Sequence, residues 1–458
     1  MPPRPLRLGG PAVLLALVAL VAPTVEAQRP SVSPQVEVVL ARRDTLAVWL
    51  FAQPGATLDR VREAVESAGG RLRRESEWLH AVSAEVTAPA LAVLRQSELL
   101  RHIQPVARFR APVLPPATAI SLVPGAPSAG ARDSLYGPSA MPFRRLNVFG
   151  LADRGIRGRG VRIAILDTGF ETGLSAFDSA TVVAQRDFVG DSLAPDSVVR
   201  NEPGDAPQAS RHGTAVWSLL AARVPGVLMG IAPEAEYILA KTEDVRSERR
   251  VEEDNYVAAL EWAHSLGARV VSSSLGYFDF DDGFAYTQAQ LNGDIAVTTM
   301  AADAAAQRGI LVVTAVGNTD SPARARTLVT PADGDSVIAA GAEDSLGTLA
   351  GFSARGPTAD GRIKPDLLAP GVSVWVRDTQ SPSGFGRLDG TSFATPLLAG
   401  VGALLRELHP GLGPMDIRDA LRRTGTNAAT PDASRGWGRP DAVAAASFPG
   451  GIVLTQPA

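Results

Sequence analysis

Short apolar runs alternate with helical segments along the middle of the 458-residue chain. The runs show little polar alternation and are rich in Val, Ile and Leu, which is typical of strands buried on both faces. They occupy residues 161–167, 236–241, 270–275 and 310–316, and the intervening helical segments begin at residues 213, 251 and 301. This alternation predicts βαβ units. We therefore expect an α/β fold in which a parallel sheet has helices on both faces.

The first 27 residues have the layout of a secretory signal peptide. Arg4 and Arg7 precede an apolar run at 12–22, and Val25-Glu26-Ala27 offers a small-residue cleavage site. The run is about half as long as the roughly 20 apolar residues that a membrane span needs, so an uncleaved anchor is the weaker alternative. The layout predicts a secreted protein, extracellular or periplasmic, with no membrane span in its mature form.

Residues 28–111 form a second predicted domain, of βαββαβ order. Strand-like patterns cover 36–52, 71–86 and 103–106, and helical patterns cover 56–68 and 88–97. A stretch rich in Pro, Ala and Gly at 112–132 predicts an exposed linker. Residues 133–458 are enough for one large core. The chain contains no cysteine, which excludes disulfides and thiol chemistry.

One serine lies where its hydroxyl can become a nucleophile. It belongs to the run Gly390-Thr391-Ser392, which precedes an apolar helical segment at 393–408. Gly390 allows a tight turn, and Pro396 is expected in the first turn of the helix, where a missing N–H costs little. Ser392 would then lie at a helix N-terminus, whose free N–H groups and dipole favour a developing negative charge.

Two upstream residues have the chemistry to activate this serine. Asp167 ends the first buried strand, where open α/β sheets carry their sites, although an aspartate that caps a turn is the structural alternative. His212 is one of five histidines and is followed by Gly213 and an apolar helix. A histidine can remove the serine proton and return it to a leaving amine, while an aspartate holds the imidazole in the right tautomer.

The order Asp, His, Ser with these local motifs resembles the subtilases, the subtilisin-like serine peptidases. The resemblance extends over about 135–446 and implies a subtilisin-like α/β fold. It also implies a serine endopeptidase that cuts extended polypeptide through an acyl-enzyme on Ser392, with Asp167 and His212 completing the triad. One alternative is a subtilase-like domain that binds polypeptide without cutting it. An α/β-hydrolase esterase is disfavoured, because Ser392 has no Gly-x-Ser-x-Gly context and that fold orders its triad Ser, acid, His.

The resemblance also implies an oxyanion hole and a substrate-binding surface. Asn318 follows the buried strand at 310–316 and would donate to the oxyanion beside the Ser392 N–H; a turn residue is the structural alternative. The segment Ser274, Leu275 and Gly276 would pair with the substrate backbone as an added strand and leave room for a side-chain pocket. The segment Ala315, Val316 and Gly317 would line that pocket and favour an uncharged side chain before the scissile bond.

By the same resemblance, residues 28–111 are a ferredoxin-like α+β propeptide. Such a domain assists folding and then occupies the cleft as an intramolecular inhibitor. The protein would be made as a zymogen and cut near or within the linker at 112–132. A permanent accessory domain is the alternative.

The remaining composition limits the partners and cofactors. The net charge is −4, so nothing indicates nucleic-acid binding. The expected partners are polypeptide substrates and the protein's own propeptide, and we expect a monomer. No cofactor is required by the sequence. Acidic stretches at 191–205 and 279–282, with Asp294 further on, are compatible with calcium, but most acidic loops are solvated turns, so no metal ligand is assigned.

Overall fold

The computed structural model describes most of the two predicted domains. The described residues are 29–33, 36, 40, 44–106, 131–189, 200, 205, 208–243, 252–278, 285–319 and 328–447. The predicted signal peptide, nearly all of the predicted linker, most of the acidic stretch at 191–205 and all of 279–282 lie outside the described residues. No helix within the described ranges is both long and apolar enough to cross a membrane.

Residues 29–106, here called the N-terminal unit, have the predicted βαββαβ order from Thr45 to Pro105, preceded by one further short strand. Their elements are β1 (Ser31–Val32), β2 (Thr45–Ala52), α1 (Leu58–Ser67), β3 (Arg71–Ser76), β4 (Ala81–Thr87), α2 (Ala88–Leu94) and β5 (Leu100–Pro105). The five strands form one sheet in the order β1-β5-β2-β4-β3, in which only β1 and β5 are parallel. This is the small ferredoxin-like α+β fold that the sequence predicts.

Residues 131–447, here called the C-terminal unit, hold the alternating elements. The strands are β6 (Arg162–Asp167), β7 (Thr181–Asp187), β8 (Arg223–Val224), β9 (Leu228–Met229), β10 (Glu236–Lys241), β11 (Val270–Ser273), β12 (Leu311–Ala315), β13 (Val337–Glu343), β14 (Leu367–Pro370), β15 (Val374–Arg377) and β16 (Phe385–Leu388). The helices are α3 (Ala131–Tyr136), α4 (Ala140–Arg145), α5 (Phe149–Ala152), α6 (Ala209–Ala221), α7 (Glu252–Ser265), α8 (Val297–Gln307), α9 (Thr391–Leu408), α10 (Pro414–Arg423) and α11 (Ala442–Ser447).

Seven of these strands form an all-parallel sheet in the order β14-β13-β12-β11-β6-β10-β7. Successive side chains of a strand point to opposite faces, and β6 shows this directly. Ile163 and Ile165 pack in a core with residues of α6 and α9, whereas Ala164 and Leu166 pack in a second core with residues of α7 and α8. The predicted parallel sheet with helices on both faces is therefore confirmed.

The same alternation attaches the N-terminal unit to the C-terminal unit. Val48 and Leu50 of β2 face α1 and α2, while Trp49 and Phe51 belong to the core that contains α7 and α8. The five-stranded sheet thus has its own helices on one face and the helices of its neighbour on the other.

Charged side chains complete this contact. Nε of Arg73 in β3 donates to Oδ2 of Asp254 in α7 at 2.9 Å, and the Ser83 hydroxyl donates to the same oxygen at 2.7 Å. Ser76 donates to Glu261 at 2.5 Å, and the Arg308 guanidinium lies 4.6 Å from the ring centre of Trp78. Asp254 is fully buried, so its two donors replace the water that it would otherwise bind.

Some predicted boundaries were wrong. The strand expected from residue 36 begins only at Thr45, and the backbone at Val36 is helical. Helix α9 begins at Thr391 rather than 393, so Pro396 lies beyond the first turn, where it removes an intrahelical hydrogen bond. Helix α6 begins at Ala209 instead of 213, which places His212 inside the helix.

Candidate active site

The candidate nucleophile lies in the first turn of a long, buried helix. Ser392 is the second residue of α9 and is almost fully buried. It follows the β15–β16 hairpin through Asp389 and Gly390, and a side-chain Cβ on Gly390 would lie 3.4 Å from the Asn318 amide nitrogen. The first amides of a helix have no intrahelical acceptor, so the N–H groups around Ser392 can stabilise negative charge.

Pro396 has a specific consequence for this turn. A residue with an N–H at position 396 would donate to the carbonyl oxygen of Ser392, four residues earlier. Because proline cannot, that oxygen accepts a hydrogen bond from the Ser274 hydroxyl at 2.7 Å. The Ser392 hydroxyl in turn donates to the carbonyl oxygen of Ser274 at 3.3 Å. The start of α9 is thereby fixed to the segment that follows β11.

The candidate base is held by the candidate acid. Nδ1 of His212 lies 2.7 Å from Oδ1 of Asp167, and both side chains are buried. A close approach between α6 and the end of β6 makes this contact possible. A Cβ on Gly213 would lie 2.2 Å from the carbonyl oxygen of Gly169 and 3.1 Å from Oδ1 of Asp167. Gly213 is therefore required here for space.

The hydrogen bonds around Asp167 fix the tautomer of His212. Oδ1 of Asp167 also accepts from the backbone N–H of Thr168 at 2.8 Å, and the Thr168 hydroxyl donates to the carbonyl oxygen of Ala209 at 2.6 Å. Since Oδ1 is an acceptor, Nδ1 of His212 is the ring's donor, and the neutral ring presents Nε2 as a base. Nε2 is buried and makes no hydrogen bond within the described part of the chain.

The structure brings His212 and Ser392 to the same place without a hydrogen bond between them. The ring of Phe393, the residue after Ser392, lies 6.0 Å from the His212 ring, centre to centre. The Ser392 hydroxyl points instead to Ser274. The hydrogen bond between a catalytic serine and its base is often long or absent in an enzyme without substrate.

Asn318 lies beside the nucleophile with its amide oriented. Oδ1 accepts from the backbone N–H of Thr391 at 2.9 Å and from the Thr391 hydroxyl at 3.0 Å. Because a backbone N–H can only donate, the oxygen of the Asn318 amide must face Thr391. The NH₂ group is then turned towards Gly390 and is available as a donor next to Ser392.

The predicted substrate-binding residues lie on both sides of one valine that the sequence analysis missed. A Cβ on Gly276 would be 2.1 Å from Cγ2 of Val329, and a Cβ on Gly317 would be 2.9 Å from Cγ1 of Val329. Part of the room that the two glycines leave is therefore filled by this side chain. Val329 precedes Thr330, which exchanges backbone hydrogen bonds with Tyr277 at 2.9 and 3.0 Å. No local motif could have revealed this contact.

The side chains of the other predicted binding residues are buried. Leu275 and Val316 are buried in the core on the α7–α8 side, and Ala315 ends β12 with little exposure. Their side chains cannot reach a substrate without repacking. Nearby, the Tyr277 hydroxyl donates to Oε1 of Glu243 at 2.6 Å, and burial together with the Glu243 charge raises the pKa of Tyr277 well above its usual range.

Within the described ranges, no group of three His, Asp or Glu side chains is placed to share a metal ion. Two of the acidic candidates are described: Asp205 pairs with Nζ of Lys241 at 2.8 Å, and the backbone N–H of Asp294 donates to the Asn292 side chain at 3.1 Å. The calcium hypothesis therefore stays a prediction.

Comparison with known proteins agrees with this geometry. Residues 158–438 match the family model of peptidase S8, the subtilase family. Subtilisin DY of Bacillus licheniformis is 32% identical over 277 residues, which cover 60% of this chain and 86% of that protein. Subtilisin E of Bacillus subtilis (strain 168) is 26% identical over 368 residues, which cover 80% of each chain.

A solved structure extends the similarity to the N-terminal unit. Fervidolysin from Fervidobacterium pennivorans, described as a keratinolytic enzyme related to subtilisin, matches with a TM-score of 0.69 at 21% identity. The match covers 92% of this chain and 63% of fervidolysin, and at this identity it shows the fold alone.

This chain belongs to the subtilase family of peptidases. It is a serine-type endopeptidase, a hydrolase that acts on polypeptide substrates.

Proposed function

We propose that the protein is a secreted subtilase made as a zymogen, with Ser392, His212 and Asp167 as its catalytic triad and Asn318 in its oxyanion hole. The observation that carries this proposal is the buried pair of Asp167 and His212, 2.7 Å apart, beside a serine in the first turn of a helix. The family membership supplies the reaction class, and the geometry supports the role of each residue.

The triad would work as a proton relay around a nucleophile. Oγ of Ser392 attacks the scissile carbonyl carbon while Nε2 of His212 takes its proton. Asp167 stabilises the resulting imidazolium through the hydrogen bond to Nδ1 and does not take the proton itself. The imidazolium then protonates the leaving amine, and a water attacks the acyl-enzyme by the same steps, which restores Ser392.

The oxyanion formed in each attack needs donors that are already in place. The Asn318 amide satisfies this requirement because Thr391 fixes its oxygen and so its NH₂ group. The Ser392 N–H supplies a second donor at the positive end of the α9 dipole. Donors that need no reorganisation at the moment of reaction are usually the largest single source of catalysis.

The substrate would bind in an extended form, with backbone pairing along residues 274–276. Val329 supports a preference for a small, uncharged side chain before the scissile bond, because it occupies the space beside Gly276 and Gly317. The remaining volume would admit Ala more readily than Phe.

The N-terminal unit would act as the propeptide. Its sheet covers α7 and α8 with buried apolar side chains, and the contacts of Arg73 and Ser83 with Asp254 give the interface a defined register. We propose that this unit assists folding, inhibits the enzyme within the chain, and leaves after a cut near or within 112–132. The signal-peptide layout at the start of the chain supports export. Calcium binding stays a hypothesis, and no ligands are assigned to it.

Intact-mass analysis before and after a fluorophosphonate tests the proposal. One covalent adduct is expected on the mature protein, absent from Ser392→Ala and present in Ser265→Ala, which changes an exposed serine on α7. The starting mass also gives the mature N-terminus. No adduct on folded protein that is free of its N-terminal unit would instead favour a domain that binds polypeptide without cutting it.

A further inference from the structure

A buried ion pair lies next to the candidate base and plays no part in the proton relay. Arg211 directly precedes His212 in α6, and its guanidinium forms two hydrogen bonds with one carboxylate: Nε donates to Oδ1 of Asp378 at 2.7 Å and Nη2 donates to Oδ2 at 2.9 Å. Each side chain is 1% exposed. This is the planar two-bond geometry that fixes distance and orientation together.

Asp378 belongs to the element that leads to the nucleophile. It follows β15 in the hairpin β15–β16, and Ser392 comes four residues after the end of β16. The carboxylate is also held within the hairpin, since Oδ1 accepts from the backbone N–H of Gln380 at 3.1 Å. On the facing strand, a Cβ on Gly386 would be 3.0 Å from Oδ2. The ion pair therefore connects the helix that carries His212 to the hairpin that leads to Ser392.

A second contact joins the same two elements about two helical turns further along α6. The Ser218 hydroxyl of α6 accepts from the backbone N–H of Arg377 in β15 at 3.0 Å. Ser218 is seven residues after Arg211, so the two lie on the same side of the helix. Together the contacts set both the position of α6 along β15 and its rotation.

Stability alone does not account for a pair of this kind. Removing two charges from water costs several kcal/mol for each ion, and a well-packed apolar pair is often as stable or more stable. Geometry accounts for it better. His212 and Ser392 come from different elements, and a displacement of about 1 Å between reacting groups can cost about 100-fold in rate.

We propose that Arg211 and Asp378 are positioning residues that hold the His212 helix at working distance from Ser392. The proposal rests on the triad proposed above. If the proposal is right, a variant can keep the stability of the fold and still lose the rate at which Ser392 reacts. A purely structural ion pair would affect the rate only through the loss of stability.

Three variants of the full chain test the proposal: Asp378→Asn, Arg211→Lys, and the apolar double replacement Arg211→Met with Asp378→Leu. The precursors are processed with a trace of affinity-tagged parent enzyme, which is removed before the readouts. The readouts are the rate of fluorophosphonate labelling, kcat and KM on one peptide, and Tm. We expect labelling and kcat to fall about 100-fold with KM within about threefold, and the apolar pair to recover Tm but not the rate.

Asp366→Asn is the matched control, because it breaks another buried ion pair, with Lys364. It should lower Tm and leave the labelling rate unchanged. Labelling within threefold of the parent in any folded variant without the two-bond contact overturns the proposal, as does recovery of both Tm and rate in the apolar pair. If Asp378→Asn fails to fold, Arg211→Lys, which retains the charge, decides. A parent that takes up no label would instead refute the triad itself.

Discussion

The two faces of the seven-stranded sheet are built by different means. On the α6–α9 face, the candidate site depends on close approach of the backbone: Gly213 admits the end of β6, and Pro396 frees the Ser392 carbonyl oxygen for Ser274. On the α7–α8 face, the N-terminal unit is held by side chains that are far apart in the sequence, such as Arg73 and Asp254. In the function that we propose, the first face carries the catalytic residues and the second holds the N-terminal unit.

The difference explains which face can be altered without damage to the other. A contact through backbone geometry tolerates almost no change, since a single Cβ on Gly213 would come within 2.2 Å of a carbonyl oxygen. A contact through side chains can be weakened one group at a time. Variants on the α6–α9 face should therefore change turnover, whereas variants on the α7–α8 face should change how long the N-terminal unit stays bound.

The largest effect on turnover, short of removing the triad, is expected from Asn318→Ala. Loss of the amide donor should lower kcat by about 10²–10³ with little change in KM, a magnitude that comes from the oxyanion asparagine of subtilisin itself. Steady-state kinetics of the mature enzyme on a peptide checks this. After processing, the rate at which the N-terminal unit leaves should not change, because the hydrogen bonds of Asn318 are with Thr391 of α9.

Asn318→Asp is the informative companion to this variant. It keeps an oxygen for the N–H and hydroxyl of Thr391 but has no NH₂ group. We expect kcat to be as low as in Asn318→Ala. A kcat near that of the parent in either variant would remove Asn318 from the oxyanion hole.

On the α7–α8 face, Arg73→Ala should weaken attachment strongly. It leaves the Asp254 carboxylate buried with Ser83 as its one remaining donor among the described residues, and removing one partner of a buried ion pair costs about 3–5 kcal/mol. After processing, the N-terminal unit should dissociate at least about 100-fold faster, measured by the appearance of peptidase activity. The mature enzyme has the same sequence as the parent's, so its kcat must be identical.

Arg71→Ala is the matched control on the same strand. Arg71 pairs with Glu85 of its own sheet at 2.6 Å, is largely exposed and makes no ion pair with the C-terminal unit within the described residues. An exposed pair of this kind contributes about 0–1 kcal/mol. If both variants release the N-terminal unit equally fast, the register does not depend on Asp254.

A smaller effect is expected of pH on stability, because the pKa values of two buried aspartates are shifted in opposite directions. Burial alone would raise the pKa of Asp366, but the charges of Lys364 and Arg422 lower it to about 2. For Asp254 at the interface, burial outweighs the charge of Arg73, and the pKa is raised. The same side chain is thus stabilised as an anion inside the C-terminal unit and disfavoured as an anion at the interface.

The sign of the pH effect follows from these directions. The folded pKa of Asp366 lies below the ordinary value of 3.8, so its stabilisation is present above about pH 4 and is lost as the pH falls through about 2. The difference in unfolding free energy between the Ser392→Ala precursor and its Asp366→Asn derivative should shrink by about 2 kcal/mol from about pH 5 to about pH 1.5. A constant difference, measured by urea unfolding, would show that Asp366 titrates normally.

The sequence predicts contacts between neighbouring residues well and contacts between distant residues poorly, for a physical reason. Close backbone contacts need particular residues next to each other, so the motifs Gly390-Thr391-Ser392 and His212-Gly213 can be recognised in the sequence. The pairs Arg73–Asp254 and Arg211–Asp378 join residues more than 160 positions apart, and nothing local distinguishes these arginines from exposed ones. Predicted helix boundaries were wrong where tertiary contacts decide them. Helix α9 begins before the predicted residue, and Ser274 donates to the Ser392 carbonyl oxygen that has no donor at Pro396.

The smallest predicted effect concerns Val329, a side chain that packs against two glycines distant from it in the sequence. It fills the space beside Gly276 and Gly317. Val329→Ala should open that space and raise kcat/KM about tenfold for a peptide with Phe before the scissile bond, with Ala at that position changing less than about twofold. Val182→Ala, on the exposed edge strand β7, is the control. Equal gains for both peptides would mean that Val329 affects access to the cleft and not the choice of side chain.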